Sequence, residues 1–258
     1  MRWAPDWLIY LAVLLAFLAA SIGRREQVSA PTPPPPPPFA EQAPISAASP
    51  FADTALVRLR SGTLNRGTAF AASSQGVWLT ARRVVAGCAK PALMVADGWA
   101  APAKVRALEG DVAVLTTKAG APPLRFAAGA GPRAESGFLA GFSRGGPGEV
   151  AALYLGRERG RTAWAEVGRT DGLEGPLFGF AGAPVLNPSG LVAGMALADA
   201  PRRGRIAAAE PRALEAALVA AKARAAGAGA PQPITRDNYG RAADALRRAT
   251  SVVAVECL

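Results

Sequence analysis

Histidine is missing altogether, and sulfur-bearing residues nearly so: the 258 residues include no His, 2 Cys and 3 Met. Without an imidazole the chain has no side chain that titrates near neutrality by default, so every mechanism that needs His as base or metal ligand is excluded. Two cysteines, Cys88 and Cys257, are far too few for a disulfide scaffold or a CxxC…CxxC zinc site, and at most they form one bridge. No metal site and no cofactor are expected. Aromatic residues make up only 7% of the chain. Nucleic-acid binding would call for a stripe of Lys and Arg interleaved with aromatics, so no nucleic-acid partner is expected.

What is abundant is apolar surface and positive charge. Half of the residues are hydrophobic, which is enough to bury a sizeable core and excludes global disorder. Lys plus Arg number 29 against 19 Asp plus Glu. The excess is spread out, with its densest spot at Pro201-Arg202-Arg203-Gly204-Arg205, and suits attraction to an acidic membrane surface or envelope polymer.

The chain divides by texture. Trp7 to Ile22 is an uncharged run of 16 residues, roughly 24 Å as a helix, and snorkelling ends bring it to the ~30 Å of a hydrocarbon layer. Residues 1–23 are read as a transmembrane anchor; a cleaved signal peptide is the rival, with Leu18-Ala19-Ala20-Ser21 a poor cleavage site. Residues 24–50 are a proline-rich linker with six consecutive prolines, Pro33 to Pro38, which fit neither helix nor sheet. Extended at ~3.1 Å per residue, such a stalk reaches on the order of 80 Å. A PxxP ligand is its alternative use.

From Phe51 to about Ala208 short apolar runs are broken by Gly and Pro: Ala55 to Leu59, Gly67 to Ala71, Val77 to Thr80, Ala92 to Val95, Val112 to Thr116, Gly137 to Phe142, Ala151 to Leu155, and the pair flanking Asn187-Pro188-Ser189-Gly190. Runs this short with this punctuation predict an all-β sandwich or barrel. Glu210-Pro211 then opens an Ala-rich helix running to Arg224, with Pro in the first turn. A second short helix starts near Asp237 or Asn238, and Ser251 to Cys257 reads as a strand. Thr250 to Cys257 (TSVVAVEC) weakly echoes Thr54 to Ser61 (TALVRLRS), too briefly to count as a repeat. In an exported domain a Cys88–Cys257 bridge would pin this C-terminal segment to the first half; the alternative is two unpaired thiols.

Three motifs then converge. Gly67-Thr68-Ala69-Phe70 followed by Val77-Trp78-Leu79-Thr80-Ala81-Arg82-Arg83-Val84-Val85, next Asp111-Val112-Ala113-Val114-Leu115, and finally Gly179-Phe180-Ala181-Gly182-Ala183-Pro184-Val185-Leu186-Asn187 through Gly194 stand in one order. In order and spacing they resemble the segments around the His, Asp and Ser of trypsin-like serine proteases, especially the Deg/high-temperature-requirement branch. The resemblance covers about Phe51 to Leu218. It implies a trypsin-like double β-barrel over 51–225, with barrels at roughly 51–122 and 123–208, followed by a helix and strand extension over 226–258.

The same resemblance puts Arg83 at the His position and Ala181 at the Ser position, leaving Asp111 as the intact member. A methyl group cannot attack a carbonyl, and a guanidinium cannot accept a proton near neutrality. Triad proteolysis by these residues is therefore excluded, and no catalytic residue is assigned. Gly179 and Ala181 retain backbone amides, so they mark a vestigial oxyanion hole. Phe180 and Ala183 depart from the family's pattern and put that loop's shape in question. Arg83 is expected to pair with Asp111, deprived of its imidazole; solvated charge for Arg83 and a plain turn role for Asp111 are the simpler readings.

The sequence thus predicts a catalytically inactive, membrane-tethered trypsin-like protease homologue. Its soluble domain is expected on the periplasmic side of a bacterial inner membrane, held by a single pass. Its expected partners are that membrane and an extended polypeptide, which would add as a strand near Arg205 to Ala209. The alternatives are an active hydrolase with an unrecognised nucleophile and a purely structural envelope protein.

Overall fold

Fourteen strands and three short helices make up the described part of the computed structural model, which covers residues 49–59, 65–128, 135–143, 146–170, 177–199, 204–225 and 232–258. These residues belong to one unit, Ala43–Leu258. The expected anchor and nearly all of the proline linker lie outside the described residues. Among the described residues no helix is long and apolar enough to cross a membrane.

The chain runs β1 (Val57–Arg58), β2 (Gly67–Ser73), β3 (Val77–Ala81), α1 (Arg82–Val85), β4 (Pro91–Ala96), β5 (Trp99–Pro102), β6 (Lys104–Glu109) and β7 (Val112–Thr116). It continues with β8 (Ser136–Ser143), β9 (Gly146–Glu158), β10 (Arg161–Arg169), β11 (Pro184–Leu186), β12 (Val192–Asp199) and β13 (Arg205–Ala209). Helices α2 (Pro211–Ala220) and α3 (Tyr239–Arg248) and strand β14 (Val252–Cys257) complete it.

Strands β8 to β13 close a barrel in the order β10-β13-β12-β11-β8-β9. Its centre is packed by Trp164, Leu139, Val150, Phe180 and Val185. The other strands form an eight-stranded sheet in the order β1-β5-β4-β14-β2-β3-β7-β6, over a core containing Phe51, Phe70, Trp78 and Leu115. Each such fully buried apolar side chain contributes roughly 1.5–3 kcal/mol. Where a pair of closed barrels was expected, the described residues therefore form one closed barrel and a sheet ending in β1 and β6. The last strand, read from the sequence as part of an extension, is central to that sheet: β14 pairs with β2 (Val253↔Ala69) on one side and β4 (Val255↔Leu93) on the other. The reason is visible in composition. VVAVEC offers a run that buries five residues, whereas β1 is two exposed residues held only at the edge by β5.

Two devices hold this C-terminal strand. Cys257 is disulfide-bonded to Cys88, with 5.7 Å between the Cα atoms and 169 residues of separation. Helix α3 is clamped to the barrel by Arg247, which donates to the carbonyls of Gly141 (3.4 Å) and Gly148 (3.2 Å) and pairs with the carboxylates of Glu149 and Asp244. Burial pushes the Arg247 guanidinium down to about 10.

Candidate functional site

The three motif segments meet where the sheet abuts the barrel. Gly67 opens β2 at a point with no room for a side chain: a Cβ there would lie 2.3 Å from Cγ2 of Val84 and 2.7 Å from the carbonyl oxygen of Ala181. Gly182 has φ of +88°, and a Cβ would stand 2.0 Å from the carbonyl oxygen of Thr68. Only glycine tolerates both the close approach and that dihedral. These glycines bring the Ala181 loop against β2 and the start of α1, so Arg83, which precedes Val84, and Ala181 come to the same junction.

Hydrogen bonds fix the approach. Thr68 N–H donates to the Ala181 carbonyl at 2.8 Å, and Gly182 N–H donates to the Ala196 carbonyl at 2.7 Å. The Thr68 hydroxyl donates to the Gly179 carbonyl at 2.8 Å and accepts from Phe142 N–H at 3.1 Å, while Thr80 donates to the Thr68 carbonyl at 2.7 Å. Thr68 is fully buried and satisfied across 111 residues of sequence. In the sequence it stands only as one residue of a motif; its role as the latch between sheet and barrel has no local signal.

Asp111 reaches the junction from the other side. Its carbonyl accepts from Arg82 N–H at 2.7 Å, tying the turn before β7 to the first residue of α1. Its carboxylate, however, is bonded to Arg161 at the start of β10, 2.8 Å from Nε and 2.7 Å from an Nη atom. The Asp111 carboxylate is thus engaged by a residue 50 positions downstream, which the sequence did not single out. That guanidinium comes from the barrel, so the pair spans the junction. Both side chains are about half exposed (49% and 46%) and the pair is solvent-screened. Arg82 and Arg83 are exposed.

Ala181, which its motif sets at the nucleophile position, offers no reactive or accessible atom. Ala181 is 1% exposed and Phe180 is 1% exposed. The segment Phe178–Phe180 coils into a 3-10 turn, in which Phe180 N–H donates to the Leu177 carbonyl and Ala183 N–H to the Phe180 carbonyl. The Gly179 carbonyl points into the Thr68 hydroxyl. Among the described residues no cluster of three or more His, Cys, Asp or Glu side chains is placed to hold a metal.

The strand suggested for peptide addition has no free edge. β13 pairs with β10 through Ala165↔Arg205 to Thr162↔Ala208, and with β12 through Met195↔Ala209 to Asp199↔Ile206. Both its ladders are occupied, which corrects the expectation that a peptide adds at Arg205 to Ala209. The open backbone edge lies one strand over, at the end of β12. There β11 stops pairing at Met195, Ala196 is capped by the Gly182 and Ala183 backbone, and Ala198–Asp199 pair only with β13 among the described residues.

Comparison with known proteins agrees with this geometry. The family model for a trypsin-like peptidase domain matches residues 67–195. Among solved structures, the HtrA-type protease AlgW with a decapeptide is 21% identical, with 61% of this chain and 52% of that chain covered and a TM-score of 0.51. The serine endoprotease from Yersinia pestis is 19% identical, covering 64% and 60%, with a TM-score of 0.49. The inactive serine-to-alanine form of Rv3671c from M. tuberculosis H37Rv is 24% identical, covering 66% and 88%, with a TM-score of 0.45. This chain spans about half the length of AlgW. No curated protein matches it. With motif order, junction and fold in accord, the chain belongs to the trypsin-like peptidase family.

Proposed function

We propose that this protein is a non-catalytic member of its family, a pseudoprotease that uses the junction between sheet and barrel to hold an extended polypeptide. The observation that carries the reading is chemical: the motif positions for base and nucleophile are Arg83 and Ala181, and Ala181 is buried. Losing a triad nucleophile or base costs on the order of 10⁶ in kcat, and losing both costs little more. The second support is the open backbone edge at Ala198–Asp199, which offers main-chain donors and acceptors to an incoming strand. Exposed Arg82 and Arg83 at the start of α1 favour a polypeptide with acidic residues.

In the same proposal the domain stands off a bacterial inner membrane on the proline linker, on the periplasmic side. The Cys88–Cys257 disulfide supports an oxidising compartment, and the apolar run Trp7 to Ile22 supports the tether. Crosslinked capture of envelope polypeptides by the full chain, compared with an Arg83→Glu variant of unchanged thermal stability, tests the binding role. The reading expects capture to fall at least several-fold. An identical captured set from both forms would leave the structural-protein alternative in its place.

A further inference from the structure

The β9–β10 hairpin has two unlike faces. On one, Trp164 is fully buried in the barrel core and Tyr154 packs against its edge, with ring centroids 5.3 Å apart. Side chains alternate along a strand, so Leu153 and Leu155 of β9 and Ala163 and Ala165 of β10 point the other way, out of the barrel. Glu166 pairs with the core residue Ala152, so Val167, next in the chain, points outward as well.

This outer face is bare. Leu153 is 39% exposed, Leu155 50% and Val167 45%. Among the described residues eight large apolar side chains are exposed, and three of them stand on this one ribbon. The same wall is covered further along: Phe138, which pairs with Ala151, stacks on Tyr239 of α3 with ring centroids 5.9 Å apart. The cover ends there, and two residues on Leu153 is open to solvent. Single exposed leucines need no explanation, whereas a cluster on one face marks a contact surface.

The ends of the bare strip are cationic. Arg205 of β13 pairs with Ala165 and so shares its outward side, and Arg159 forms the turn at the hairpin tip. Both are exposed, and neither has an ion-pair partner among the described residues. Arg205 also closes the densest basic run of the sequence. The carboxylates nearby are engaged or outnumbered. Glu166 is held by Arg169 and Glu210 by Arg157, while Glu158 at the tip stands between Arg159 and Arg161.

Shape and charge together select the partner. The outer wall of a closed barrel is convex and offers no groove for a peptide or small ligand. Stacking two copies through this face would bring arginine against arginine without supplying an anion. A surface that is broad, apolar beneath and anionic on top satisfies both features, and a bilayer with anionic headgroups is such a surface.

We infer that the outer face of β9–β10 docks the domain onto a membrane containing anionic phospholipid. Leu153, Leu155 and Val167 enter the headgroup region, and Arg159 and Arg205 lie beside lipid phosphates. The contact is separate from the triad junction and does not depend on whether that junction holds a peptide. It adds to the proposed anchor: the linker sets how far the domain can travel, and this face sets which side returns to the bilayer.

The two cysteines are bridged, so an added cysteine in the full chain takes a single label. An NBD fluorophore is placed at Ala163→Cys and, separately, at Val219→Cys on α2, with Ala165→Cys as the second ribbon position if the first variant does not fold. Each chain is reconstituted in phosphatidylcholine vesicles with or without phosphatidylglycerol, and quenching by a lipid spin-labelled near its headgroup is read. The expected result is quenching on the ribbon several-fold above that at position 219, present with phosphatidylglycerol and fading in high salt. Arg159→Ser and Arg205→Ser should each lower the ratio of docked to undocked domain about 5-fold, and Leu153→Ser with Leu155→Ser should lower it at unchanged charge. Equal quenching at both positions, or ribbon quenching that ignores phosphatidylglycerol, overturns the proposal. Chains crosslinked through position 163 in neutral vesicles would overturn it in favour of a second copy, and a label shielded by soluble polyglutamate but not by lipid in favour of an acidic polypeptide. Flotation with phosphatidylcholine alone reports the anchor, so a failed anchor together with ribbon quenching leaves this face standing.

Discussion

The closed barrel and the eight-stranded sheet are built in opposite ways. The barrel takes six strands from one stretch of chain, β8 to β13, and pairs mostly neighbours. The sheet takes seven strands from the first half and a central one from Val252–Cys257. Without β14 the sheet divides into β1-β5-β4 and β2-β3-β7-β6, with two bare edges. Loop-closure entropy alone favours early formation of the barrel, with its contiguous pairing, over the sheet, whose central strand returns from the end of the chain. The disulfide and the Arg247 clamp sit where that long-range strand must be retained.

The contrast is broken most severely at β14. Val253 is 2% exposed and pairs with Ala69. Val253→Asp buries an unpaired charge, and a loss of more than about 4 kcal/mol is expected. Hydrogen exchange should show β2 and β4 losing protection before β8 to β13 do. Equal loss in both halves would mean that they form a single cooperative unit.

Removing the bridge should do less. Cys88→Ser with Cys257→Ser frees a loop of 169 residues, and a loss of about 2–4 kcal/mol, the range typical of a disulfide, is expected. Urea titration followed by exchange protection of β14 measures it, and a change below about 1 kcal/mol would show that the Arg247 clamp suffices.

The sheet also contains a destabilising group that the barrel lacks among the described residues. Glu256 is 4% exposed, and its Oε2 has no hydrogen-bond partner. Burial pushes its carboxyl up to about 7. Because the folded value is raised, the folded state holds the proton that the unfolded chain releases near 4.5. Stability from this group is complete below pH 4.5 and is lost as pH rises to about 7, by up to about 3 kcal/mol. Glu256→Gln should flatten that decline and be the more stable form at pH 8; an unchanged pH profile contradicts the assignment.

The smallest effect is expected where sheet and barrel exchange charge. Asp111→Asn removes a half-exposed pair with Arg161 and should cost less than about 1 kcal/mol, diminishing further in high salt. A larger, salt-independent loss would give Asp111 a structural weight its exposure does not suggest.

These asymmetries were unequally legible in the residues. Apolar runs marked β2, β3, β7, β8 and the β11–β12 hairpin, whose turn is set by Asn187 Oδ1 accepting from Ser189 and Leu191 N–H. Strand β6, with Lys104, Arg106 and Glu109 around exposed Val105 and Leu108, has no buried face to announce it. Strand β10 buries Thr162 and Trp164, but the Arg, Glu and small residues around them leave no apolar run. The β-character of Ser251 to Cys257 was readable, but its insertion between β2 and β4 is a long-range pairing with no local trace. The same holds for the site. Arg83, Asp111 and Ala181 were found through ordered motifs, whereas Arg161, an exposed residue on a hairpin of the other half, gave no sign that it would hold Asp111.

The central claim is that a hydrolase framework persists here without working side chains. Treating the purified full chain with a fluorophosphonate probe while following casein turnover examines it most directly. The account predicts neither labelling nor turnover. Stoichiometric labelling of a serine, with turnover abolished when that serine is replaced, would contradict it.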